Sequence, residues 1–265
     1  MSKIEIDGFL SEESENGRNN YHNNYKDIFD LTKEINRFSM AFLQKLKIDW
    51  ENNQKLIIHT LCLRIIEHFQ GTVLMLERGM MSQAKVLTRA MLETVFILVA
   101  LQRKPDLLQC YFDQHEDGRK KALKAALQFK NKNLLASTKK HNLEKHYVEH
   151  MNSLKGKELN PLAPKQWAIE ADLEDFYNLY YVLYSNSTHS NLSALDDHVD
   201  ESKDEINLAF GPSDNSFYEV FQCCVYILVN AINSTAISYD QDISTQLDYY
   251  VGKIKELDEK YFIES

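Results

Sequence analysis

The chain has 265 residues, 44% of them hydrophobic, enough to bury a sizeable core in one domain. Its 8 Gly and 4 Pro fall well below an average usage of about 7% and 5%, which speaks against a turn-rich all-β or disulfide-framed fold and for helices. A formal net charge of −9 opposes general nucleic-acid binding, because that affinity comes mainly from Lys and Arg neutralising phosphates.

Residues 8–24 are polar, acidic and Asn-rich, a composition that cannot offset its ordering entropy. Residues 1–25 are therefore expected to form a mobile tail and 26–265 a single helical domain. From Asp27, the residues Ile28, Leu31, Ile35, Phe38, Phe42 and Leu46 recur at helical spacing. A second helix spans 53–78, with Ile58, Cys62, Ile65, Phe69, Val73 and Leu76 on one side, and stops at Gly79, a residue suited to a left-handed cap. Ser82 opens a third, apolar nearly all round from Val86 to Leu101. The short connection predicts that these two form an antiparallel hairpin at the centre of an all-α multi-helix bundle. Pro105 opens another helix, and 118–150 has helical composition with weaker periodicity. Residues 152–166 collect Gly156, Pro161 and Pro164 and read as an internal linker. A tyrosine-rich helix from about Asp172 to Thr188, a loop with short elements over 190–215, and helices over 216–236 and 242–262 complete the pattern.

The N-terminal stretch MSKIEIDGFLSEESENG has no apolar h-region, and no run of about 18 uncharged apolar residues occurs. The expectation is a soluble cytoplasmic protein with no membrane span. Cys62, Cys110, Cys223 and Cys224 show no C-x-x-C spacing and read as buried free thiols. Charge is uneven: residues 103–145 carry 11 Lys/Arg against 5 Asp/Glu, and residues 166–265 carry 4 against 19. A basic stripe on an acidic protein could hold an anionic partner, or could simply be a solvated face.

The chemistry-bearing candidates are few. Arg89 and Glu93 stand one turn apart inside the most apolar helix, where an unpaired charge would cost about 3–5 kcal/mol, so both are expected to be buried with partners. Arg64 and His68 are one turn apart on the preceding helix, on the side that carries Gly71 and Met75. His189 follows Ser185 by four residues, so a helix puts both on one face, where imidazole can move a proton or donate to phosphate. Each pair also fits an ordinary packing role. His141, His146 and His150 lack the Glu of H-E-x-x-H, and no glycine-rich phosphate loop occurs, so neither metal nor cofactor is expected.

The segments LCLRIIEHFQGTVLMLERGMMSQAKVLTRAMLETVFILVAL and FYNLYYVLYSNSTHSNLSAL resemble, over roughly residues 55–235, the two recurring blocks of a helical bacterial family catalogued only as a domain of unknown function. The family's glycine turn, R-x-x-x-E helix and Y-x-x-x-S-x-x-x-H segment map onto Gly79, Ala84, Arg89, Glu93, Tyr181, Ser185 and His189. The chain is more distantly similar to HEPN domains, helical bundles of bacterial toxin and defence systems. Many of these are metal-independent ribonucleases in which Arg and His from two protomers act together. That resemblance implies a homodimer or protein partner and an RNA substrate; the residues themselves offer His189, Arg89 and Glu93 as the catalytic set, with Arg64, His68, Ser185 and Tyr181 in binding roles. The HEPN pattern R-x(4–6)-H is not met, since no Arg lies four to six residues before His189; Arg89 or Arg64 would have to supply the cation from another helix. The competing expectation is a noncatalytic helical module for a small ligand or protein, with Arg89 and Glu93 holding the bundle in register.

Overall fold

The computed structural model describes residues 3–189, 195, 198–200, 207, 208 and 211–261. It is an all-α fold. The helices, in chain order, begin with α1 (Lys3–Asp7), α2 (Glu13–Asn24), α3 (Lys26–Lys45), α4 (Asn53–Leu76) and α5 (Met81–Arg103). Next come α6 (Leu108–Leu127), α7 (Lys132–Lys140), α8 (Leu143–Ser153), α9 (Pro164–Glu170) and a short α10 (Glu174–Phe176). A π-helical turn over Tyr177–Tyr181 then leads into α11 (Val182–His189), followed by α12 (Phe217–Ser238) and α13 (Ser244–Tyr261). A two-residue antiparallel ladder pairs Val199 with Leu208 and Asp200 with Asn207.

The core lies where α4, α5 and α12 meet, these being the most extensively packed helices. Their sequences explain why: Met91, Leu92, Val95, Phe96 and Leu98 on α5, and Val220, Phe221, Val225 and Leu228 on α12, are almost wholly buried. Burying each such side chain contributes about 1.5–3 kcal/mol. Gln54 donates to the Leu101 carbonyl at 2.6 Å, and a Cβ on Gly71 would sit 3.1 Å from Leu87 Cδ1. The start of α4 thus meets the end of α5, and the absence of a side chain at Gly71 lets the two helices approach closely. Asn52 caps α4, its side chain accepting from Lys55 N at 3.0 Å. The turn into α5 is set by Gly79, whose φ of +66° is left-handed and whose missing Cβ leaves room for Tyr21 Oη and Pro212.

Around this core, α3 packs on α4, while α9, α11 and the π turn pack on α5. Among the described residues α12 is long and apolar enough to cross a membrane, and most of it is buried inside the bundle. Cys62, Cys223 and Cys224 are buried free thiols; Cys110 is half-buried.

Two segments differ from expectation. The N-terminal segment expected as a mobile tail is helical in α1 and α2 and is tied down by charge. Arg18 Nε donates to Glu77 at 2.9 Å, His22 Nε2 lies 3.0 Å from the same buried carboxylate, and Arg78 pairs with Glu15 at 2.6 Å. Composition gave no sign of this, because the anchor is a buried Glu at the end of α4, more than fifty residues away. The second is the 152–166 stretch, whose Pro164 opens α9. There Trp167 is buried and its Nε1 donates to Gln114 at 2.9 Å, while Asp113 accepts from Asn160 N at 3.0 Å, so this connection is packed onto α6.

Candidate functional site

The apolar run of α5 leaves few polar side chains, and two of them, Arg89 and Glu93, face the π turn and α11. Arg89 Nη2 lies 3.1 Å from Glu93 Oε1 and donates to Tyr181 Oη at 3.0 Å; Tyr181 Oη in turn donates to Glu93 Oε1 at 3.1 Å. The guanidinium carbon also stands 5.0 Å from the Tyr181 ring centroid, a cation–π distance. Arg89, Tyr181 and Glu93 therefore form a closed triangle linking α5 to the helix that carries Ser185 and His189.

The π turn is what delivers the phenol. One extra residue per turn resets the register of the helix at Tyr177–Tyr181, and such insertions recur at functional sites. Tyr177 stacks on Tyr181 with centroids 4.8 Å apart, and Ser185 Oγ takes up the Tyr181 carbonyl at 2.7 Å. Burial raises the Tyr181 pKa, and Glu93 adds to the rise while Arg89 opposes it, so the phenol stays protonated and donates to the carboxylate.

The two charges are not equally covered. The Arg89 side chain is 16% exposed and Glu93 42%, so the expected fully buried pair is a half-open one, with the cation inside and the carboxylate reaching solvent. Helical spacing located both residues but could not show which flank of α5 its neighbours leave bare. Nor is Ser185 the side chain that meets the pair; the Tyr181 hydroxyl is. His189 is the last residue of α11, and its side chain lies outside the described residues. Arg64 is exposed and His68 half-buried on α4, and no described contact brings either to Arg89. Among the described residues His68 Nε2 is buried without a hydrogen-bond partner, and burial holds its pKa below the usual value, with Arg64 adding to the effect and Glu67 opposing it.

A second polar cluster was not anticipated. Asp258 on α13 accepts from Tyr218 Oη at 2.6 Å and Gln222 Nε2 at 2.7 Å, both on α12, and Tyr180 Oη reaches Gln222 Oε1 at 3.4 Å. Its sequence signal is the spacing of Tyr218, Gln222 and Tyr226, a polar stripe at i, i+4, i+8 on an otherwise apolar helix. With Tyr226 Oη donating to the same carboxylate at 3.4 Å, three neutral donors surround Asp258 and make it an anchor for α13. Among the described residues no three His, Cys, Asp or Glu side chains converge to hold a metal ion; His150 instead lies 3.4 Å from the Glu116 carboxylate and 3.1 Å from its carbonyl, fixing α8 on α6.

No curated protein and no solved structure matches the chain. The family of unknown function DUF5677 matches residues 55–206, a span that begins in α4 and takes in the Arg89–Glu93 helix, the π turn and α11. With more than half of its length matched, the chain belongs to the DUF5677 family.

Proposed function

We propose that the protein is a HEPN-like, metal-independent ribonuclease effector of a bacterial toxin or anti-phage defence system, with its reacting groups along the line between α5 and α11. The observation that carries this reading is the half-open Arg89–Tyr181–Glu93 triangle: a fixed guanidinium beside a solvent-facing carboxylate, on the helix pair that also bears His189. Such a set can stabilise a phosphate and move protons. In the reaction, a ribose 2′-oxygen attacks the adjacent phosphorus as the bond to the 5′-oxygen breaks. Glu93 takes the 2′-hydroxyl proton, His189 gives one to the departing oxygen, and Arg89 bears the charge on the phosphoryl oxygens. The products are a 2′,3′-cyclic phosphate and a 5′-hydroxyl. A second protomer or a protein partner supplies the surface that closes over the site.

A second reading, a noncatalytic module that binds a ligand or protein partner, is favoured by one observation: Arg89 Nη2, Tyr181 Oη and Glu93 Oε1 are engaged with one another. Expression of wild type beside His189→Ala and Arg89→Lys, followed by growth and cellular RNA integrity, separates the two. The ribonuclease reading expects growth arrest and RNA breakdown with wild type and relief with both variants. Intact RNA, with the His189 variant indistinguishable from wild type, would put the module reading in its place.

A further inference from the structure

The N-terminal helices α1 and α2 dock on the bundle without a fully buried apolar side chain among the described residues. Over residues 3–24 only Ser11 and Ser14 are buried, and among the described residues neither hydroxyl has a hydrogen-bond partner. Ile6 and Leu10 are instead 65% and 96% exposed. An unpartnered buried hydroxyl opposes docking, because undocking returns it to water. What holds the segment is charge and rings. Arg18 and His22, one turn apart on α2, both reach the buried Glu77 carboxylate at the end of α4. Tyr21 and, just past α2, Tyr25 stack on Phe217 at the start of α12.

The segment grips two parts of the chain at once. One is the turn between α4 and α5, where Arg78 pairs with Glu15 and Tyr21 Oη fills the space that a side chain at Gly79 would take. The other is 211–214, the end of the connection that begins after His189. Ile4 Cγ2 lies 3.2 Å from where a Cβ on Gly211 would stand, Pro212 meets Gly79 beside Tyr21, and Tyr25 Oη donates to Asp214 at 3.4 Å. Ser213 N donates to the Gly79 carbonyl at 3.0 Å, so 211–214 is pinned between α1–α2 and the turn. Elements with few buried apolar contacts open at a far lower free energy than the core they rest on. The ionic part of this grip is within reach of salt, since the side chains of Arg18, Arg78 and Glu15 are 40%, 26% and 58% exposed.

We propose that α1 and α2 form a releasable strap: latched through Arg18 and His22 on Glu77, it opens as a unit while α4, α5 and α12 stay folded, and in opening it frees 211–214 from the α4–α5 turn. This device does not depend on the ribonuclease reading. The test is native-state hydrogen exchange of the full chain, read by mass spectrometry. Glu77→Gln should speed exchange about tenfold or more across Glu13–Asn24 and, together with it, across 211–217, while the amides of α4, α5 and α12 keep their rates. Raising NaCl from about 0.05 M to about 0.5 M should speed the same two peptides in wild type. Arg18→Ala, at a partly exposed position, acts in the same direction as Glu77→Gln and carries the test if that variant does not fold. Ser11→Ala removes an unpartnered buried hydroxyl outside the helices, so it gains no helix propensity, and should slow exchange of the strap about threefold or more. Acceleration spread evenly over the core, acceleration of Glu13–Asn24 that leaves 211–217 untouched, or rates that respond to neither the variants nor salt overturn the proposal. So does exchange in Ser11→Ala that is no slower than in wild type.

Discussion

The Tyr181 hydroxyl is the hinge of the candidate site, because it accepts from Arg89 and donates to Glu93 with one oxygen. Tyr181→Phe removes both bonds while leaving the ring on the guanidinium. It should cost about 1–2 kcal/mol in urea unfolding, read as a shift in midpoint at unchanged slope. A change within about 0.3 kcal/mol would mean that the triangle holds nothing together. Arg89 and Glu93 were legible in the sequence, since one turn of helix separates two charges in a run of aliphatic residues. Their third partner was legible as a residue but not as a contact. Reaching it needs the π turn, and a register change of one residue leaves no trace in apolar periodicity. The exposure of Glu93 was hidden for a different reason: a helical wheel shows which residues share a face and not which face the rest of the chain leaves open.

Among the elements, α4 carries a pH dependence. His59 and His68 are both held below the ordinary value of 6.5, by burial first, so as pH falls the unfolded chain takes up their protons before the folded one does. Their contribution is intact above 6.5 and is lost as pH falls toward the folded-state values. Thermal unfolding should therefore show a lower midpoint at pH 5.5 than at pH 7.5, and His59→Gln/His68→Gln should flatten that difference; an equal slope in the double variant would remove α4 as its source. The helix α13 depends on one carboxylate. Asp258→Asn weakens the bonds from Tyr218 and Gln222 and should loosen α13 by about 1–2 kcal/mol, seen in hydrogen exchange as faster amides across Ser244–Tyr261 with α4 and α5 unchanged. Uniform loss of protection would show instead that α13 and the core open together. Sequence periodicity placed α3, α4, α5, α12 and α13 well because each turns a dense apolar face inward. It missed α2 and α9, whose places are fixed by distant partners, Glu77 for Arg18 and His22, and Gln114 for Trp167.

At the scale of the whole molecule, a buried three-helix centre carries two different surfaces: a half-open polar triangle between α5 and α11, and an open groove between α6, α7 and α8 lined by Leu127, Leu135, Leu143 and Val148. The all-α class followed from scarce glycine and proline together with long 3–4 spacings. The uneven charge was also plain in composition, though only the structure shows that the basic segment encloses apolar ground. The triangle is proposed above as a reaction centre. Its most direct test is single-turnover cleavage of end-labelled RNA by purified protein with EDTA present, comparing wild type with Glu93→Gln. Cleavage by wild type to cyclic-phosphate ends is expected, with a loss of about 100-fold or more in Glu93→Gln, assayed at a temperature where circular dichroism shows the variant folded. RNA left intact by wild type, or cut equally fast by the variant, would contradict it.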